Sequence, residues 1–287
     1  MRAELNRLEA EAHRAIESGD AATLHVIDFG EISTVLPLST PDGEYVAKRL
    51  PPFPAGTFEH YATTFDRYLT VLADLGTTPV DSHLEVFGGD PSTAYAIQPF
   101  MPTLLVRQLR DADEGRARML SATLANIVAD TVSPTVGLDA QVSNWAITEE
   151  GTWRYLDVTT PMLRDASGQE ELELGIFIAS LPAALRPVIR RFALTGILDA
   201  YYDRRNVLLD VAANLHKERL THHSRTMIEE FNRVIDTPLT ETEAARYYRS
   251  NAFMWEALQR LRLMDRWWQR RVRRRPYPFL LPGKVNR

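Results

Sequence analysis

Strand-like alternation in this chain is confined to its first hundred or so residues and to one later hairpin, and everything else repeats with the period of a helix. Residues 24–30, 32–38 and 44–50 read as three strands, the last two joined through Pro41-Asp42-Gly43, a turn signal. After the rigid Pro51-Pro52-Phe53-Pro54 linker, residues 57–75 place Phe58, Tyr61, Phe65, Tyr68, Leu69 and Leu72 on one helical face, and Gly76 ends the run. Residues 84–87 and 93–98 add two strands around Gly88-Gly89-Asp90-Pro91, completing a five-stranded sheet with one helix. From Leu104 onward the pattern is helical: 104–110, 113–130, 170–181, 187–199, 204–219 and 221–235, a capping box at Thr240 and Glu243 that opens a further helix, and a last helix over 250–274. The class is therefore α+β, sheet first. Residues 1–19 read as a flanking helix, 20–101 as a small unit and 102–287 as a larger helical one.

With 287 residues the chain buries a sizeable core. It has no cysteine, which removes disulfides and thiolate metal sites from consideration. Its first residues lack the apolar core of a signal peptide, and no run approaches the roughly 18 apolar residues a membrane helix needs. The expectation is a cytoplasmic protein. Only three of the 33 basic residues are lysines, Lys48, Lys217 and Lys284, a bias expected of a GC-rich bacterial genome.

Charge is unevenly placed. Residues 259–287 hold ten Lys plus Arg against Asp265 alone, a balance of +9, so the preceding residues carry −14 of a total of −5.

The chemistry concentrates in residues 137–161. There Asp139, Asn144 and Asp157 stand at spacings of 5 and 13 on a loop, the start of one strand and the end of the next. Trp145-Ala146-Ile147-Thr148 and residues 153–158 flank a Glu150-Gly151 turn, and a hairpin brings those two strand ends together. Singly, each of the three satisfies a turn backbone as readily as it does chemistry. Jointly they present oxygen donors to one place.

This pattern resembles the protein-kinase-like superfamily, and within it the aminoglycoside phosphotransferase and choline kinase branch, over about half of the chain, roughly residues 23–163. The resemblance implies a two-lobed kinase-like fold with the nucleotide between lobes. It implies ATP- and Mg²⁺-dependent phosphoryl transfer to a hydroxyl of a small molecule. Asp139 takes the role of catalytic base, and Asn144 and Asp157 hold the metal. Lys48, in Val46-Ala47-Lys48, is similar to the strand lysine that pairs with phosphates. Glu59, with Asp66 as substitute, is the candidate carboxylate for that lysine. Ser33 and Thr34 stand where the loop over the phosphates belongs, with Glu31 opposing phosphate. Gln98, Phe100 and Met101 are the hinge residues whose main chains face adenine.

The chain departs from the family pattern in three places. Only one glycine, Gly30, stands in the phosphate loop; Gly137 and Leu138 replace the usual His before Asp139; and Val158-Thr159-Thr160 follows Asp157, where Thr159 and Thr160 read as closing a turn. These departures sustain an alternative, a pseudokinase that binds nucleotide or a partner without turnover. Nucleotidyl transfer would use the same residues. His216, His222 and His223 lack metal-site spacing and read as surface or core histidines. The basic amphipathic helix over 250–275 carries Ala257, Leu258, Leu261, Met264, Trp268 and Val272 on one side. It either docks on the helical unit or lies on an anionic membrane surface or other anionic partner, and no nucleic-acid module accompanies it.

Overall fold

The computed structural model describes residues 1–19, 24–30, 33–87, 92–172, 174–179, 182, 186 and 194–280. Glu31, Lys284, the turn at 88–91 and most of the helix expected over 187–199 lie outside the described residues.

Strands β1 (Asp28–Phe29), β2 (Thr34–Thr40), β3 (Gly43–Arg49), β4 (His83–Phe87) and β5 (Thr93–Pro99) pair antiparallel in the order β1-β2-β3-β5-β4. β1 is two residues long where alternation predicts seven, with Asp28 and Phe29 in register with Val35 and Thr34 of β2. The β2–β3 hairpin turns at Pro41-Asp42, where the Asp42 N–H donates to the Thr40 hydroxyl at 3.2 Å and Gly43 takes a φ of 144° that disfavours other residues.

Strand alternation gives this sheet two different faces. Leu36, Ala47 and Ile97 stand in register on one, and with Leu38 and Tyr95 they close against Leu5, Ala12 and Ala15 of α1 (Arg2–Ser18). Arg49 donates to both oxygens of Glu9 at 2.9 and 3.0 Å, and the Tyr95 hydroxyl bonds the same carboxylate. The helix expected to flank the sheet thus contributes to the core on this face. The opposite face carries Lys48, Ala96 and Gln98 toward the rest of the molecule.

Helix α2 (Phe58–Asp74) sends Tyr61, Phe65, Tyr68 and Leu72 into the large core, shared with Ala94 of the sheet and with the helices that follow. These are α3 (Leu105–Arg110), α4 (Glu114–Thr131), α5 (Leu174–Ile178), α6 (Leu194–Asp199), α7 (Arg204–Glu218), α8 (Ser224–Phe231) and α9 (Glu241–Arg271), with a hairpin, β6 (Trp145–Ile147) and β7 (Trp153–Tyr155), after α4. Side-chain oxygens satisfy the first amides of three of them: Asp113 accepts from Arg116 N–H, Asp203 from Asn206 N–H and Thr240 from Glu243 N–H. The two helices expected after Thr240 are one continuous helix of 31 residues, since no Gly or Pro interrupts 241–271. His223 is buried against the Leu109 carbonyl and His216 stacks on Tyr248. Among the described residues no helix is long and apolar enough to cross a membrane.

Candidate active site

The short hairpin is fixed from both sides, and this decides where its ends point. On one side Tyr155 N–H donates to Thr78 O at 2.9 Å and Val80 N–H to Tyr155 O at 2.8 Å, and on the other Ile147 N–H donates to Thr103 O at 3.0 Å. Trp145 stands opposite Tyr155, so Asn144 and Leu156 adjoin, and the Leu156 N–H donates to Asn144 O at 2.9 Å. Asp157 follows directly.

Here the sheet meets the hairpin. Lys48 Nζ lies 2.6 Å from the Leu156 carbonyl and 3.8 Å from Asp157 Oδ1, joining residues more than a hundred apart in the chain. Gln98 Nε2 donates to the same carbonyl at 3.0 Å and to Ser82 Oγ at 3.1 Å. Lys48 is buried, and that burial pulls its ammonium below the ordinary lysine value of 10.5, with Asp157 and Asp28 opposing the shift. Asp157 keeps about a quarter of its side chain exposed (27%) and accepts from the Thr159 hydroxyl at 3.2 Å.

The loop before the hairpin is held by side chains and backbone where the expected His is missing. Tyr68 of α2 donates to Gly137 O at 2.9 Å, Leu138 N–H to Tyr201 O at 3.1 Å, and Asn144 Nδ2 to Asp139 O at 3.2 Å. A Cβ on Gly137 would come within 2.9 Å of Met162 Cβ and 3.2 Å of Tyr202 Cε1, so the loop packs where only glycine fits undisturbed. Asp139 is buried, with its Oδ1 accepting the Gln141 N–H at 3.2 Å. Tyr61 donates to Thr159 O at 2.9 Å, and Thr159 and Thr160 are buried in the turn after Asp157, which is the turn role expected of them.

The other expected site residues are placed differently from these. Glu59 and Asp66 are exposed on α2, and Lys48 takes Asp157 as its carboxylate, because α2 turns tyrosines toward this region. Thr34 pairs with Arg49, one residue from Lys48, and so lies on the face toward α1; Ser33 is buried, its hydroxyl turned to Gly30, whose N–H donates to Ser33 O at 2.9 Å. Gln98 is engaged through its side chain, since the ladder bonds of Phe100 N–H to Glu44 O and Leu50 N–H to Ala94 O alternate through Gln98 and commit its backbone to Val46. The Phe100 N–H is likewise taken, and Met101 sits half-buried in the linker beyond β5.

The structure also adds residues with no local signal. Gln141, two residues past Asp139, donates to Asp210 Oδ2 at 2.9 Å and accepts from Asn214 Nδ2 at 2.9 Å, both on α7. Asn251 of α9 reaches Asp210 Oδ1 at 3.4 Å. Burial raises the Asp210 carboxyl above its ordinary range, against the hydrogen bond from Gln141. Partners 69 and 73 positions apart leave no spacing to read.

A model of a family of unknown function (DUF6206) matches residues 7–266. The chain belongs to that family. The match takes in every DUF6206 residue discussed for this site, from Lys48 to Asn251, and ends at Arg266 within α9. No curated protein matches the chain.

Proposed function

We propose that this DUF6206 protein is an ATP- and Mg²⁺-dependent phosphotransferase acting on a hydroxyl of a small molecule, built on a two-lobed kinase-like fold. The observation that carries the reading is the meeting of Lys48 from the sheet with Asp157 from the hairpin end, 3.8 Å apart, beside Asn144 and the Asp139 loop. A strand lysine normally lies in solvent, and one held buried against a carboxylate across the chain is placed for anionic chemistry.

The donor set suits a hard cation. Asn144 gives its Nδ2 to the Asp139 carbonyl, which leaves its amide oxygen as ligand, and Asp157 adds a partly exposed carboxylate. Among the described residues no cluster of three His, Asp or Glu forms a closed metal cage, so the rest of the shell falls to phosphate and water. When bound there, Mg²⁺ supplies charge neutralisation at the phosphates. Lys48 binds phosphate oxygens, and Asp139 accepts the proton of the acceptor hydroxyl as phosphoryl leaves. Gln141, Asp210 and Asn214 keep the loop after Asp139 in place.

A second reading, nucleotide or partner binding without turnover, is favoured by the β1–β2 connection, where Thr34 is buried on the face away from Lys48 and the buried Ser33 sets its hydroxyl against Gly30. Melting the protein with millimolar ATP, with and without Mg²⁺, and following γ-phosphate transfer to pooled hydroxyl metabolites separates the readings, because a ligand of the folded state raises the melting temperature. The phosphotransferase reading expects a Mg²⁺-dependent rise together with transfer. A rise without transfer selects the nucleotide-binding protein, and no rise removes the phosphotransferase and favours a nucleotide-free scaffold.

A further inference from the structure

Helix α9 is turned inside out relative to its own pattern. Its buried positions are Ala244, Arg262 and Asp265, while Phe253 (76% exposed), Met264 (65%), Trp267 (60%) and Trp268 (51%) face away from the protein. What fixes this orientation is α1: the Arg270 guanidinium donates to Ser18 O at the C-terminal end of that helix, where a cation is favoured, and lies over Gly19, whose missing side chain admits it. Arg266 and Arg270 line the same contact with Ala15 and Ile16. Beside these residues lies an apolar trough of about 650 Å³ lined by Leu263, Met264, Trp267 and Trp268 together with Pro182, Asp265, Gln269 and Arg273.

The charge around that trough is mainly positive, with Asp265 the one acid among its lining residues. Arg246, Arg249 and Arg260 fall on the outward side at helical spacing, and Arg271, Arg273, Arg274 and Arg275 are exposed at the end, while no acid follows Asp265 in the sequence. Glu256, an exposed acid on that side, is tied to Arg260 at 2.6 Å. A second copy seated on the stripe brings arginines against arginines whether the helices run parallel or antiparallel. Duplex nucleic acid answers the arginines but keeps its bases stacked on one another and offers nothing to the apolar trough. An anionic lipid surface answers both, since indoles settle at the boundary of headgroups and chains and arginines pair with the headgroups.

We propose that the outward face of α9, centred on Trp267 and Trp268, seats this protein on an anionic lipid bilayer. The proposal is independent of the phosphotransfer reading. Sedimentation of the full chain with phosphatidylcholine vesicles, alone or with about 30% phosphatidylglycerol, tests it, since anionic headgroups carry the attraction. Binding is expected on the anionic vesicles, with tryptophan emission shifted to the blue and affinity at least about tenfold weaker on phosphatidylcholine alone and at about 0.5 M salt. W267S/W268S and, separately, R273Q/R274Q/R275Q each reduce binding about tenfold, with far-ultraviolet dichroism unchanged because all five side chains are exposed. Absence of binding, equal binding to both vesicles, or binding indifferent to both sets of substitutions overturns the proposal. So does a dimer in solution that W267S/W268S dissolves, which assigns the stripe to a second copy, or retention on RNA for which the tryptophans are dispensable.

Discussion

Lys48 is a charge kept out of water, and this sets both its chemistry and its cost. Its folded pKa lies below the ordinary 10.5, so between the two values the unfolded chain binds more protons than the folded one. Stability conferred by this group therefore rises with pH across that window and is flat below it. Lys48→Met removes the rise, and the difference between wild-type and variant unfolding free energies, measured by denaturant from pH 8 upward, shows it. The buried tyrosines Tyr61 and Tyr68, pushed above their ordinary value, act in both proteins and cancel in that difference. Unliganded Lys48→Met is expected to be at least as stable as wild type near neutrality while losing the ATP-induced rise in melting temperature. A variant with unchanged pH dependence would show that Lys48 is solvated after all. The carboxylates divide by role: Asp157→Asn is expected to abolish Mg²⁺-dependent nucleotide turnover, and Asp139→Asn to spare the ATP-induced rise while slowing transfer by about 10²-fold or more. Equal loss of ATP binding in both variants would reject the assignment of Asp139 as base.

Elements explain why part of this site is legible in the sequence and part is not. Asp139, Asn144 and Asp157 sit within one loop and hairpin, so turn chemistry and period-2 alternation place them together from local rules alone. Lys48 is legible as a strand residue, but its neighbour is chosen by how the sheet is laid against the hairpin. Glu59 lies apart from Lys48 for a related reason: helical spacing gives a first-turn carboxylate, yet the direction of α2 is set by burying Tyr61, Phe65 and Tyr68, which leaves Glu59 in solvent. Thr34 pairs one residue of register away from Lys48, which in a strand is a change of face. The brace that replaces the expected His also comes from α2, through the Tyr68 hydroxyl on the Gly137 carbonyl. Tyr68→Phe leaves that buried carbonyl one donor short and should cost about 1–3 kcal/mol in chemical denaturation. It should also lower the rate of transfer more than the affinity for ATP, because the loop it holds carries Asp139 and not Lys48. A loss confined to stability would make Tyr68 a packing residue only.

At the scale of the molecule the helix at the chain's start joins regions that the sequence keeps apart. α1 closes the sheet face opposite Lys48, and its end receives Arg270 from α9, so one short helix touches both the sheet and the C-terminal helix. Hydrophobic spacing predicts the helix but is silent on what it covers, since any apolar stripe can pack anywhere. The attachment is polar as well as apolar: Glu9, with 16% of its side chain exposed, meets Arg49, with 7%. Removing one member of such a pair strands a desolvated charge, whereas removing both leaves a cavity that apolar groups can fill. Glu9→Leu is therefore expected to lower stability by about 3–5 kcal/mol, because Arg49 stays buried beside an apolar side chain. The double substitution Glu9→Leu with Arg49→Met should recover most of that loss. Since Arg49 adjoins Lys48 on the same strand but faces the other way, the single variant should also weaken ATP binding only in proportion to unfolding, and the double variant should restore it. If Glu9→Leu proves harmless, or the double variant is no more stable than the single one, then α1 is held by its apolar stripe alone and the sheet does not depend on this ion pair.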